Sequence, residues 1–123
     1  MKKNTRSYQI TDKMDFSRKI NSRISTGKEI LSCQIASYEA LDIIKNEISK
    51  WSDYNIELLK QSFDNPDNEY LSKYKQSYLA LDFWGSHSLS IDIETQKRKI
   101  SSYIKGLDKI ANKIDLIPTK GIA

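Results

Sequence analysis

Residues 38–63 read YEALDIIKNEISKWSDYNIELLKQSF. A largely apolar stripe recurs there at alternating intervals of three and four residues, and its members are Leu41, Ile44, Ile48, Trp51, Asn55 and Leu58. Side chains at these intervals share one face of an α-helix. Leu59 and Phe63 widen the stripe, and Ser37 is a typical N-cap. The stretch therefore predicts a long helix that packs against other helices in a coiled-coil-like manner.

The segment before this stretch also has a helical pattern. It begins near Met14, and its inward positions are Phe16, Ile20, Ile24, Gly27 and Leu31. We expect Asp15 to cap this helix. Glycine in a helix interior costs about 1 kcal/mol relative to alanine. Gly27 therefore either bends the helix or allows another helix to approach closely.

Two more helices are predicted after residue 63. Pro66 ends the second helix, and Asp67 or Asn68 can cap a third over roughly 68–84. A fourth, over roughly 89–116, is stopped by Pro118. The fold prediction is an all-α, elongated bundle of three to four helices over residues 14–118. We also predict a flexible basic arm at 1–13 and a frayed tail at 119–123.

Composition agrees with a single helical domain. The chain has 123 residues, and its hydrophobic share of 38% lies below the average for globular domains. Four glycines and two prolines give few turns for an all-β fold. One cysteine excludes an intrachain disulfide, and no apolar run is long enough for a membrane span. We therefore expect a cytoplasmic protein that does not enter a membrane.

The candidates for chemistry are few. Cys33 and His87 are the only residues of their types, which is too few for a zinc site of four Cys and His ligands. We expect Cys33 to be packed and His87 to lie in a turn, so that a nucleophile–base pair is disfavoured. The chain contains no phosphate-binding glycine motif. We expect no enzyme activity, cofactor, metal or small-molecule substrate.

Two interaction surfaces are predicted instead. The first is the strip formed by Trp51, Asn55, Leu58, Leu59 and Phe63, called the Trp51 strip below. Asn55 is informative because a polar residue in an apolar seam can fix helix register or oligomeric state. Its hydrogen bond could be made inside one chain, which we favour, or across subunits. The interaction partner would be another protein or a second copy of the chain.

The second surface is basic. Residues 1–28 contain eight basic and two acidic side chains, whereas the other 95 residues have a slight acidic excess. The alternative function is a small helical nucleic-acid-binding protein, because clustered lysines and arginines attract phosphates. The residues that would contact nucleic acid are Lys2, Lys3 and Arg6 in the arm, and Lys97, Arg98 and Lys99 on the fourth helix.

Two segments also resemble a known group of proteins. They are GKEILSCQIASYEALDIIKNEISKWSDYNIELLKQSF at 27–63 and KISSYIKGLDKIANKIDLIPT at 99–119. Their core is Lys50-Trp51, Tyr54-Asn55 and Leu58-Leu59, and together they resemble the N-terminal helical region of bacterial proteins with a TIR-like or predicted nucleotide-binding effector domain. The resemblance implies a helical regulatory or oligomerising region in bacterial defence or signalling. Because no effector domain follows Ala123, we expect a stand-alone relative, a truncated product or a separately encoded partner of an effector.

Overall fold

The computed structural model describes residues 8, 9, 11–78 and 88–119 of the chain. Within these residues the chain forms four α-helices: α1 (Lys13–Ser32), α2 (Tyr38–Gln61), α3 (Glu69–Gln76) and α4 (Leu89–Ala111). A short 3-10 helix, Ile114–Leu116, follows α4. The prediction of an all-α bundle is confirmed. The third helix is observed to Gln76, and residues 79–84 of its predicted span lie outside the described residues.

Each helix begins at a side chain that accepts a hydrogen bond from the first turn. Ser37 caps α2 through Ala40 N–H, and Asn68 caps α3 through Leu71 N–H, both as the sequence indicates. Ser88 caps α4 in the same way. The expectation for α1 was wrong, because Asp12 is its cap and accepts from the N–H of Asp15. Asp15 instead lies in the first turn, where its charge is favourable at the positive end of the helix dipole.

The packing centre of the bundle is a contact between three helices at Gly27. α1 continues through this residue without a break and packs mainly against α4, with α2 alongside. A Cβ atom at Gly27 would lie 2.6 Å from Trp51 Cζ2 on α2 and 2.9 Å from Ile104 Cγ1 on α4. Of the two roles expected for Gly27, close approach of neighbouring helices is therefore the correct one.

The hydrophobic core follows the predicted stripes closely. Its members are buried isoleucine, leucine and aromatic side chains from all four helices and the segments that follow them. They are Phe16, Ile20, Ile24, Ile30, Ile48, Trp51, Leu59, Phe63, Leu71, Tyr74, Ile100, Ile104, Leu107, Ile110, Ile114 and Ile117.

The ends of the described chain meet beside this core. The N–H of Gln9 donates to the carbonyl of Pro118 at 2.8 Å, and Gln9 is 1% exposed. Tyr8 and Asp64 exchange two hydrogen bonds, from Asp64 N–H to the Tyr8 carbonyl and from Tyr8 N–H to the Asp64 carboxylate, both 2.9 Å. Within the predicted arm over 1–13, Tyr8 and Gln9 are therefore hydrogen-bonded to the bundle, and Lys13 begins α1. Thr119 pairs with Gln9, so the predicted frayed tail does not begin at residue 119. Residues 1–7 and 120–123 lie outside the described part.

Candidate interaction site

The Trp51 strip lies inside the folded chain. Trp51, Asn55, Leu59 and Phe63 are each at most 3% exposed, and Leu58 is half-buried against the core. Phe63 packs edge-on against Phe16, with ring centroids 5.7 Å apart, and stacks on Tyr70 at 4.6 Å. A partner does not reach these side chains in the folded chain. The expectation that they form a docking surface is thus corrected: the strip pairs α2 with the helices of its own bundle.

Asn55 belongs to a buried polar cluster formed by Arg23, Ser52, Asn55 and Tyr74. Its amide oxygen accepts from Arg23 Nε at 2.8 Å, and its amide nitrogen donates to the Tyr74 hydroxyl at 3.0 Å. Ser52 Oγ shares a further hydrogen bond of 2.9 Å with the same hydroxyl. Asn55 and Tyr74 are both 0% exposed. The hydrogen bonds of Asn55 are therefore intrachain, and they connect α1, α2 and α3.

Arg23 and Trp51 join α1 and α2 a second time. The Trp51 indole N–H donates to the Arg23 carbonyl at 2.9 Å, and Arg23 Nη2 donates to the Trp51 carbonyl at 3.2 Å. The guanidinium also lies over the Tyr54 ring, with Cζ 4.3 Å from the centroid, which is a cation–π geometry. Because one arginine bonds to the backbone and two side chains of α2, the register between the two helices is fixed at this point.

Burial determines the protonation of the cluster. It raises the pKa of Tyr74 to about 12, against the smaller lowering effect of the hydrogen bonds from Ser52 and Asn55. Burial also lowers the pKa of Arg23, which still stays protonated at neutral pH. The Tyr74 hydroxyl is neutral, fully buried and bonded to two protein groups. This arrangement holds three helices together, and Arg23 is its one charged and partly exposed member.

Of the basic residues of the alternative function, the three that the structure describes do not share a surface. Lys2, Lys3 and Arg6 lie outside the described residues. Lys97 and Lys99 are half-buried on α4, and Arg98 is exposed. Consecutive helical residues are rotated by about 100° from one another, so these three side chains point in different directions. They do not form one basic face.

A different set of lysines does come together. A groove of about 210 Å³ lies between α3 and α4. It is lined by Lys73, Lys109 and Lys113 together with Tyr70, Gln76, Ser77, Gly106 and Ile110. Within the described residues, none of the three lysines forms an ion pair. Lys109 and Lys113 are visible in the sequence as part of a basic helix, but Lys73 joins them only through the packing of α3.

The outer side of α2 carries two of the large exposed apolar residues. Ile43 is 63% exposed and Tyr54 is 54% exposed. Glu47 and Lys50 lie between them in sequence and are also exposed. These four residues are called the α2 face below, and three of them, Glu47, Lys50 and Tyr54, border an open depression of about 290 Å³ between α1 and α2. The depression is lined by Arg23, Thr26, Ile30, Glu47, Lys50, Trp51 and Tyr54.

Groups suited to metal binding or nucleophilic chemistry do not converge in the part of the chain described. No group of three or more His, Cys, Asp or Glu side chains is placed to hold a metal ion there. Cys33 is exposed at the end of α1, with Sγ 3.5 Å from the Glu29 carbonyl, so the expectation of a packed cysteine was wrong. His87 lies outside the described residues. Among the described helices, none is sufficiently long and apolar to cross a membrane.

Comparison with protein-family models, with curated proteins and with solved structures finds no match to this chain. The site is therefore defined by its own geometry. The polar cluster includes three residues that the sequence did not single out, Arg23, Ser52 and Tyr74. Arg23 follows Ile20 by three residues and precedes Gly27 by four, which places it at the border of the inward face of α1. A charged residue at this border is the feature of the sequence that could have indicated a role for Arg23 in the cluster.

Proposed function

We propose that this chain is a helical protein–protein interaction module. The observation that supports it is the α2 face, where Ile43 and Tyr54 are both more than half exposed and Tyr54 borders an open depression. Exposed single apolar residues are common, but these two share a helix face with a charged pair between them. Aromatic side chains with a polar edge are enriched at protein interfaces. A regulatory role in bacterial defence or signalling is part of the same proposal, on the basis of the resemblance described above.

The experiment compares partner binding by the wild-type chain and by Ile43→Ser. The purified chain is analysed alone by analytical ultracentrifugation over a concentration series, and it is then immobilised to capture proteins from a lysate of its own cells. Ile43→Ser is expected to lose self-association, or a captured protein, without loss of helix content by circular dichroism. Met14→Ser is a matched control, because Met14 is 77% exposed and lies on another helix. A chain that stays monomeric and retains no protein in an Ile43-dependent manner contradicts the proposal.

Nucleic-acid binding is the second candidate, and the groove formed by Lys73, Lys109 and Lys113 favours it. Three cations around one groove can neutralise adjacent phosphates, which makes affinity fall steeply with salt. A gel-shift titration tests this with Lys109→Glu/Lys113→Glu, and Lys28→Glu/Lys45→Glu is the control because both of its lysines are exposed elsewhere. A shift lost only in the groove variant supports the candidate. Equal loss in both variants, or no shift at low salt, removes it.

A further inference from the structure

The order of residues on the α2 face is self-complementary. Ile43, Glu47, Lys50 and Tyr54 follow one another at intervals of four, three and four residues, so they occupy seam positions of a heptad pattern on the exposed side of α2. The face has an apolar residue at each end, and the two residues between these ends carry opposite charges. Reversing the direction of the helix therefore places each charge opposite its counter-charge. The outer pair is Ile43 and Tyr54, and the inner pair is Glu47 and Lys50. Both pairs have the same midpoint in the sequence, between Ile48 and Ser49.

We propose that the α2 face binds the same face of a second copy of this chain, with the two α2 helices antiparallel about a two-fold axis at that midpoint. This inference rests on the proposed function and names its partner. In such a pair Ile43 of one copy lies opposite Tyr54 of the other, and Glu47 lies opposite Lys50. Two-fold symmetry produces each contact twice, as in an isologous dimer.

Charge complementarity selects this orientation. With the helices parallel and in register, Glu47 would oppose Glu47 and Lys50 would oppose Lys50, and like charges in direct opposition are unfavourable. With the helices antiparallel, both acids meet bases. Within the described residues neither Glu47 nor Lys50 forms an ion pair, so both are available to a second copy.

The shape of the surface around the face also suits the pairing. The depression between α1 and α2 lies beside Tyr54, where Ile43 of the second copy would insert. Arg23 supports the Tyr54 ring from within the same chain. The next position toward the N-terminus of α2 is Ala40, which has a side chain too small to hold the second helix away. The apolar contact area is nevertheless small, so the dimer is a weak one that forms at high concentration.

A charge-exchange series measured by sedimentation equilibrium tests the pairing. Glu47→Lys places lysine opposite lysine and is expected to raise the dimer dissociation constant at least about tenfold, because like charges across an interface are strongly unfavourable. Lys50→Glu is expected to do the same. The double variant Glu47→Lys/Lys50→Glu keeps the complementarity and restores dimerisation. A mixture of the two single variants forms heterodimers, although each alone is monomeric.

The matched control is Asp42 and Lys45, an acid and a base three residues apart that are exposed on another side of α2. Asp42→Lys and Asp42→Lys/Lys45→Glu leave the dissociation constant unchanged. Thermal unfolding monitored by circular dichroism verifies that all variants fold. A wild-type monomer, or a dimer that Glu47→Lys does not weaken or that the double variant does not restore, overturns the pairing. If Ile43→Ser then still loses a captured protein, the proposed function stands and only the second copy as partner is wrong.

Discussion

Replacing Asn55 with leucine tests whether the polar cluster holds the bundle together. The substitution keeps the number and branching of the side-chain heavy atoms and removes two hydrogen bonds. The bond from Arg23 has a charged donor and contributes about 1.5–3 kcal/mol, and the bond to the Tyr74 hydroxyl contributes about 0.5–1.5 kcal/mol. Tyr74 keeps its bond to Ser52, and Arg23 is partly exposed and can bind water instead. We therefore expect the free energy of unfolding to fall by about 2–4 kcal/mol.

The assay is urea unfolding followed by far-UV circular dichroism. Asn46→Leu is the control, because Asn46 is an exposed asparagine on the same helix and its replacement should change stability by no more than about 0.5 kcal/mol. Tyr74→Phe completes a double-mutant cycle with Asn55→Leu. Since the two side chains are directly bonded, their effects are expected to be non-additive by at least about 0.5 kcal/mol. Equal stability of Asn55→Leu and Asn46→Leu, or strict additivity in the cycle, would refute the reasoning.

Two further predictions concern the glycines and alkaline pH. Gly27→Ala forces a Cβ against Trp51 and Ile104, and we expect a net loss of about 1–2 kcal/mol after the gain in helix propensity. Gly106→Ala meets the Ser77 hydroxyl, which can rotate away from its bond to the Lys73 carbonyl, and Ser77 Cβ at 3.1 Å, so the same urea assay should find a smaller loss than for Gly27→Ala; equal losses in both variants would contradict this. The second prediction follows from the raised pKa of Tyr74, about 12, compared with about 10 in an unfolded chain. The unfolded chain loses the Tyr74 proton first, so the free energy of unfolding falls as pH rises from about 10 to about 12 and is unaffected by this group below that range. Urea titrations across this range should show a shallower decline for Tyr74→Phe, and identical slopes would show that Tyr74 is not the group responsible.

The parts of the fold that the sequence predicts are those with local signals. The stripe on α2 and the caps at Ser37 and Asn68 each depend on residues within one or two turns, so spacing and side-chain type are sufficient. The helix ends are less accurate. The fourth helix ends at Ala111 rather than near residue 116, because a 3-10 turn continues the apolar spacing as far as Ile114.

Other features depend on contacts between distant residues. Nothing near Gln9 indicates that it pairs with Pro118 and Thr119, since the partners are separated by almost the whole chain. The same holds for the candidate site. Asn55 stands out as a polar residue in an apolar stripe, but its partners Arg23 and Tyr74 come from two other helices. The Trp51 strip was assigned to a partner because an apolar stripe has the same pattern whether it is covered by its own chain or by another one.

The pairing of Gln9 with Pro118 and Thr119 has a consequence for protein engineering. The two ends of the described chain lie side by side, so a short peptide could join them without stretching the bundle. The chain is thus suited to cyclisation, with new ends opened in an exposed connection such as residues 33–36 between α1 and α2. Reporter groups attached at residues 8 and 119 would sit close together, and energy transfer between them would decrease as soon as this contact opened.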